Sequence, residues 1–112
     1  MANVVTGHKA EQAVAAKLVG EGFKILDLNW KTKLCEIDVV ACKDKIIYFI
    51  EVKYRAGGGQ GSGFEYITPK KLNQMQFAGR MWNQNNNWDG DWRLLGVEVT
   101  GLNFENINLT EI

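Results

Sequence analysis

The sequence predicts an α/β (α+β) domain in which a central mixed β-sheet is flanked by helices in the order αβββαβ. Three observations carry this. An apolar stripe at helical spacing opens the chain, three strand-like runs joined by short polar turns follow it, and a Thr-Pro pair then starts a second helical pattern ahead of one more strand-like run. At 112 residues the chain fits one domain, residues 1–112, and is too short for two separately cored ones.

The first helix is expected from Gly7 to Gly22, with Thr6 as its cap and Val14, Ala15, Leu18 and Val19 as its apolar stripe. Phe23 to Trp30 reads as a strand, and Lys31-Thr32-Lys33 as a turn. Leu34 to Cys42 and Ile46 to Tyr54 are separated only by Lys43-Asp44-Lys45, which predicts a hairpin. Residues 57–63 hold five glycines in seven and are expected to form a mobile loop. Thr68-Pro69 provides a cap with proline at the first helical position, and Leu72, Met75, Ala78, Gly79 and Trp82 continue as one helical face. That helix dissolves in the Asn-rich run 83–87. Trp92 to Thr100 is a further strand, and Ile107 to Ile112 reads either as a short edge strand or as a tail.

Composition narrows the function classes. Hydrophobic residues make up 46% and charged residues 23%, which excludes a disordered or fibrous chain. No run approaches the ~20 apolar residues of a membrane span, and the N-terminus lacks the apolar core of a secretory signal, so a cytoplasmic protein with no membrane partner is expected. Cys35 and Cys42 have neither the number of a disulfide framework nor the spacing of a zinc site. Both are expected to be reduced. The formal charge is zero, yet residues 1–75 hold 11 Lys/Arg against 8 Asp/Glu, and residues 76–112 hold 2 against 5. A polyanion would therefore meet the N-terminal two-thirds.

The hairpin concentrates the charges that matter. If Asp44-Lys45 is a two-residue turn, Asp38 falls opposite Glu51 and Glu36 opposite Lys53. Strand alternation then puts all four on one face. Like charges facing each other on a sheet are destabilising, and carboxylates in apolar strands need a partner. Two readings fit. One is a solvent-facing side with ordinary salt bridges; the other is a site where a hard divalent cation, magnesium by its preference for oxygen, neutralises two carboxylates. Glu11 lies at the end of the stripe formed by Val14, Ala15 and Leu18, so it either snorkels to water from the margin of that face or adds a further carboxylate to the patch.

The runs Gly7-His8-Lys9-Ala10-Glu11, Asn29-Trp30, Glu36-Ile37-Asp38-Val39-Val40, Phe49-Ile50-Glu51-Val52-Lys53-Tyr54-Arg55 and Thr68-Pro69-Lys70-Lys71 resemble the YraN-like family. That family belongs to the restriction-endonuclease-like superfamily, whose core carries an acidic residue in one strand and Glu-x-Lys in the next. The resemblance spans about residues 7–82. It implies a metal-dependent nuclease fold similar to archaeal Holliday-junction resolvases. On that likeness Asp38, Glu51 and Lys53 would be catalytic. Asp38 and Glu51, supported by Glu11, would hold Mg²⁺ or Mn²⁺, Lys53 would orient the attacking water, and Lys71, Lys70 and Arg55 would meet the substrate. The implied partners are branched or structured DNA and a second copy of the chain. Two departures stand out: Cys35 replaces a glycine usual in the family, and Arg93-Leu94-Leu95 stands where the family tends to carry Arg-Phe-Asp.

Other features favour plainer readings. The glycine loop is not followed by Gly-Lys-Ser/Thr and so is no phosphate-binding P-loop, although beside Glu51 and Lys53 it would serve as a flap admitting a polymer. Trp30, Trp82, Trp88 and Trp92 read as core or interface anchors in preference to base-stacking platforms. His8 is the only histidine and reads as a bystander, which leaves histidine-based nucleophilic catalysis without support. A carboxylate-pair glycosidase is disfavoured because Lys53 beside the acids suits phosphate better than an oxocarbenium ion. Two functions remain: a metal-dependent nuclease, favoured by the intact Asp and Glu-x-Lys set, and a catalytically silent nucleic-acid-binding or protein-interaction module of the same fold, favoured by the zero net charge.

Overall fold

The computed structural model describes residues 4–55 and 66–112, residues 4–7 by their backbone alone, so the expected glycine loop at 57–63 lies outside the described residues. The elements are α1 (Val4–Gly20), β1 (Lys24–Lys31), β2 (Glu36–Lys43), β3 (Ile46–Arg55), α2 (Pro69–Asn85), β4 (Trp92–Thr100) and β5 (Asn106–Glu111). They form one five-stranded mixed sheet in the order β1-β2-β3-β4-β5. Only β3 and β4 run parallel, joined across α2; every other neighbour is antiparallel. The expected α+β order is present, and the C-terminal run is an edge strand on β4. Among the described residues no helix is long and apolar enough to cross a membrane.

Each helix covers one face of the sheet. Ala10, Val14 and Leu18 of α1 pack on Val39, Ala41, Ile50, Leu95, Val97 and Val99. On the other face Met75, Ala78 and Trp82 of α2 pack on Ile37, Val40, Ile47, Phe49 and Leu94. Strand β4 is buried continuously from Leu94 to Val99, as a central strand covered on both sides must be.

Local chemistry sets the boundaries. Helix α1 starts by Val4, before the expected Gly7, so Thr6 lies inside the helix and cannot cap it. It ends in a pair of crossed bonds, Phe23 N–H to Leu18 O at 2.9 Å and Gly22 N–H to Val19 O at 3.1 Å, with Gly22 at φ +95°. A side chain at Gly22 would strain that left-handed turn. The β2–β3 turn has positive φ at both Asp44 and Lys45, 53° and 65°. That conformation matches the twist of the flanking strands and fixes the register from Lys43↔Ile46 to Val39↔Ile50. In α2, Thr68 Oγ1 accepts the Lys71 N–H at 3.1 Å and Pro69 follows it, the expected cap. Gly79 lets α2 approach closely: a Cβ there would stand 2.9 Å from Phe49 Cδ2. The tryptophans serve packing, as expected. Trp82 and Trp92 both meet Phe49 edge-on, and Trp82 Nε1 donates to Asp27 Oδ2 at 2.8 Å.

One break in the sheet positions the site. Ile37 packs on the α2 side and Val39 on the α1 side, although two residues this far apart in a regular strand share a face. Asp38 sits at that break. Opposite it, between the pairs Leu28↔Val39 and Trp30↔Ile37, Asn29 has φ +53°. The ladder between β2 and β3 stops at Val39↔Ile50. Beyond it the Val52 N–H donates to Asp38 Oδ2 at 2.8 Å, so a side chain replaces the lost backbone partner.

Candidate functional site

The carboxylates converge at this break. Glu11, from the first half of α1, is 9% exposed, and its Oε1 is buried without a hydrogen-bond donor. Burial decides between the two expectations for this residue: it does not snorkel. Its neighbours are Asp38 and Asn29. Burial raises the Glu11 pKa, opposed by those two groups and reinforced by Glu36 and Glu51. Asp38 is pushed up to about 7, first by burial and then by the charges of Glu11 and Glu36, against the stabilising Val52 N–H. A proton on one of the two carboxyls, Glu11 or Asp38, would relieve their mutual repulsion. Glu51 is also raised, by burial and by Asp38, while Lys71 lowers it.

The expected single face of four charged groups needs correction. The break at Asp38 disrupts the alternation that would have aligned Glu36 with Asp38. Glu36 is largely exposed and lies 3.7 Å from Lys31. Lys53 is exposed and, among the described residues, makes no ion pair with Asp38 or Glu51. The ammonium beside the acids is that of Lys71, with Nζ 3.0 Å from Glu51 Oε2. Its position follows from the Thr68 cap, which seats the first turn of α2 over β3. Arg55 turns away: its Nε lies 2.7 Å from Oε2 of the buried Glu98 on β4. Lys70 is exposed on the first turn of α2.

Two residues of the site carried no role in the sequence reading. Asn29 neighbours Glu11, and its signal in the sequence was its place in the Asn29-Trp30 motif; the structure gives it a positive φ, which Asn tolerates better than most residues. Tyr66 lies near Glu51, Glu98 and Asp38, which together with burial raise its phenol pKa, and its hydroxyl meets Val97 O at 3.3 Å. Nothing in the sequence around Tyr66 signalled this.

Beside Glu51 opens a groove of about 970 Å³ between the β1–β2 turn and α2, its walls including Lys31, Lys33, Leu34, Lys70, Lys71 and Phe77. The turn is held by Thr32 Oγ1, which accepts the N–H groups of Leu34 at 3.0 Å and Cys35 at 3.2 Å. Cys35 and Cys42 are free thiols.

Among the described residues no three His, Cys, Asp or Glu side chains stand close enough together to hold an ion as they are. The donor chemistry nevertheless fits a hard cation. Magnesium keeps several waters and takes one or two carboxylates, and the Glu11–Asp38 pair with its orphaned Oε1 offers them.

The same carboxylates set a pH dependence. Asp38 has a folded pKa of about 7 against an ordinary value of 3.8, so between those pH values the folded chain binds more protons than the unfolded one. Its contribution to stability is therefore full below about pH 4 and lost as pH rises through 7, and the raised values of Glu11 and Glu51 act in the same direction. Urea denaturation of the metal-free protein is expected to show a loss of about 2–4 kcal/mol across that window. A flat profile there would mean that the carboxyls are not crowded in solution.

Comparison with known proteins places the chain. The family model described as "Uncharacterised protein family UPF0102" matches residues 10–101, through β4 and so further toward the C-terminus than the motif likeness reached. A UPF0102 protein of Oleidesulfovibrio alaskensis is 37% identical over 100 residues, covering 88% of this chain and 50% of that protein, so the chain spans about half of that relative's length. One of Cytophaga hutchinsonii is 35% identical over 101 residues, covering 90% of this chain and 89% of the relative. One of a Sulfurihydrogenibium species is 38% identical over 96 residues, covering 85% and 84%. With the matched segment running from the buried Glu11 through the Glu-x-Lys strand to β4, the chain belongs to the uncharacterised protein family UPF0102, the YraN-like family to which its motifs point.

Proposed function

We propose that this protein is a divalent-metal-dependent nuclease that hydrolyses phosphodiester bonds of DNA, branched or structured DNA in particular. The observation that supports the reading is the burial of Glu11, Asp38 and Glu51 at one break in the sheet, which raises all three pKa values, with repulsion from neighbouring carboxylates adding to it, while Lys71 is the only cation ion-paired with them among the described residues. Such an arrangement stores unfavourable electrostatics that a bound cation would relieve. Asp38, Glu51 and Glu11 would hold Mg²⁺ or Mn²⁺. The ion would supply a bound water of lowered pKa and offset charge on the phosphate.

The chain's own residues supply the rest. Lys71 and Lys70, on the capped first turn of α2, neutralise substrate phosphate. Lys71, 3.0 Å from Glu51, would orient the attacking water, and Lys53, exposed two residues beyond Glu51, adds positive potential. Asn29 holds the Glu11 carboxyl. Cutting two strands of a junction calls for two sites, hence a homodimer, and a DNA substrate implies the cytoplasm. The catalytically silent module remains the second reading, because no ready-made three-ligand cluster stands among the described residues.

Calorimetric titration separates the two. Mg²⁺ and Mn²⁺ are expected to bind saturably to wild type and not to Asp38→Ala, and wild type is expected to cut a four-way junction or flap in a gel assay. No heat of binding by wild type for either ion would favour the module. Cleavage that persists undiminished in Asp38→Ala would trace to a contaminating enzyme.

A further inference from the structure

We infer that the groove beside Glu51 receives a nucleic-acid strand with unpaired bases, its phosphates on Lys33 and Lys70 and its bases against Leu34 and Phe77. This deepens the nuclease reading, and rests on it for the substrate's chemical class. The first support is charge. Four lysines and two glutamates, Glu36 and Glu51, line the groove; Lys31 lies 3.7 Å from Glu36 and Lys71 3.0 Å from Glu51. Lys33 and Lys70 make no ion pair among the described residues, and both are exposed. A chain of zero net charge thus carries a locally positive groove that ends at the candidate site.

The second support is apolar. Leu34 is 72% exposed and Phe77 42% exposed, and both line this one groove. Large exposed apolar groups are isolated on most surfaces, and their pairing within a basic groove calls for an occupant that is both charged and flat-faced. A duplex hides its base faces and offers only phosphate and groove edges, so an apolar wall gains little from it. An unpaired strand offers both, and stacking on an aromatic ring is indifferent to sequence. Leu34 is also rigidly displayed, because the Thr32 hydroxyl ties down the turn that carries it. In a branched substrate the strand that meets Glu51 would then be the unpaired arm.

The test is fluorescence anisotropy in EDTA with a labelled oligothymidylate and a blunt duplex of equal length. Wild type is expected to prefer the single strand by roughly tenfold or more, Phe77→Ala and Leu34→Ala to erase most of that preference, and Lys33→Ala with Lys70→Ala to lower the salt slope by about 1.4. Both apolar side chains are exposed, so their loss leaves folding intact, which circular dichroism would check. Equal or tighter binding of the duplex, or single-strand affinity unchanged in both apolar variants, would overturn the proposal. So would a dimer in sedimentation that Phe77→Ala dissolves, since a second copy would then own the groove. Because binding is read without metal, intact strand preference with no cleavage in Mg²⁺ would sink the nuclease reading alone, and cleavage without strand preference would sink this one alone.

Discussion

Asp38→Asn is expected to lower Mg²⁺-dependent cleavage by ~10³-fold or more and yet to make the metal-free protein more stable at pH 8. Both effects have one origin. In the folded chain the Asp38 carboxyl is pushed up to about 7 by burial and by Glu11 and Glu36, so at pH 8 it is ionised against its surroundings. Asparagine keeps an oxygen that can accept the Val52 N–H, now 2.8 Å from Oδ2, and removes the charge. It also brings an N–H for the buried Glu11 Oε1, which has no donor. The gain in urea denaturation at pH 8 should be about 1–3 kcal/mol and should vanish near pH 4, where the wild-type carboxyl is already protonated. Activity moves the other way, because a neutral amide ligates a hard cation poorly and several kcal/mol of transition-state stabilisation goes with the ion. A variant less stable than wild type at pH 8 would make Asp38 a structural hydrogen-bond acceptor. One that still cuts at wild-type rate would remove it from the chemistry.

The largest loss of stability is expected from Phe49→Ala. Phe49 is 1% exposed and stands between Trp82 at 5.7 Å and Trp92 at 5.6 Å, with Gly79 of α2 directly above it. Truncation empties the contact that seats α2 on the sheet and should cost about 3–5 kcal/mol. For a domain of this size that is a large share of a total of about 5–15 kcal/mol. It should also loosen the seat of Lys71 against Glu51, since the same helix carries Lys71. Phe49→Leu, which keeps more volume, should lose less than half as much. Equal losses in the two variants by denaturant titration would mean that the ring geometry contributes more than the filled space.

Much of the fold was legible because it rests on local rules. The spacing of Val14, Ala15 and Leu18, the Thr68-Pro69 start of α2 and the short Asp44-Lys45 turn each act within a few residues, and the structure contains all three, although Val19, read as part of the same stripe, is 57% exposed. Where α1 begins was misread, because Thr6 has the chemistry of a cap and the chain continues the helix through it. The hairpin register was correct as far as Val39↔Ile50. The next residue fails because strand alternation assumes an unbroken ladder, and the ladder stops there.

The sequence by itself determined the order of the first six elements, the hairpin register as far as Val39↔Ile50 and the acidic motif residues, since periodicity, turn chemistry and caps are properties of neighbours along the chain. Only the tertiary structure decided which groups meet. It set Glu11 beside Asp38 across α1 and β2, gave Lys71 the place by Glu51 expected of Lys53, committed Arg55 to Glu98, and opened a basic, partly apolar groove. Contacts between residues tens of positions apart depend on how helices seat on a sheet and where a strand breaks its pairing, and those are outcomes of packing that no local pattern encodes.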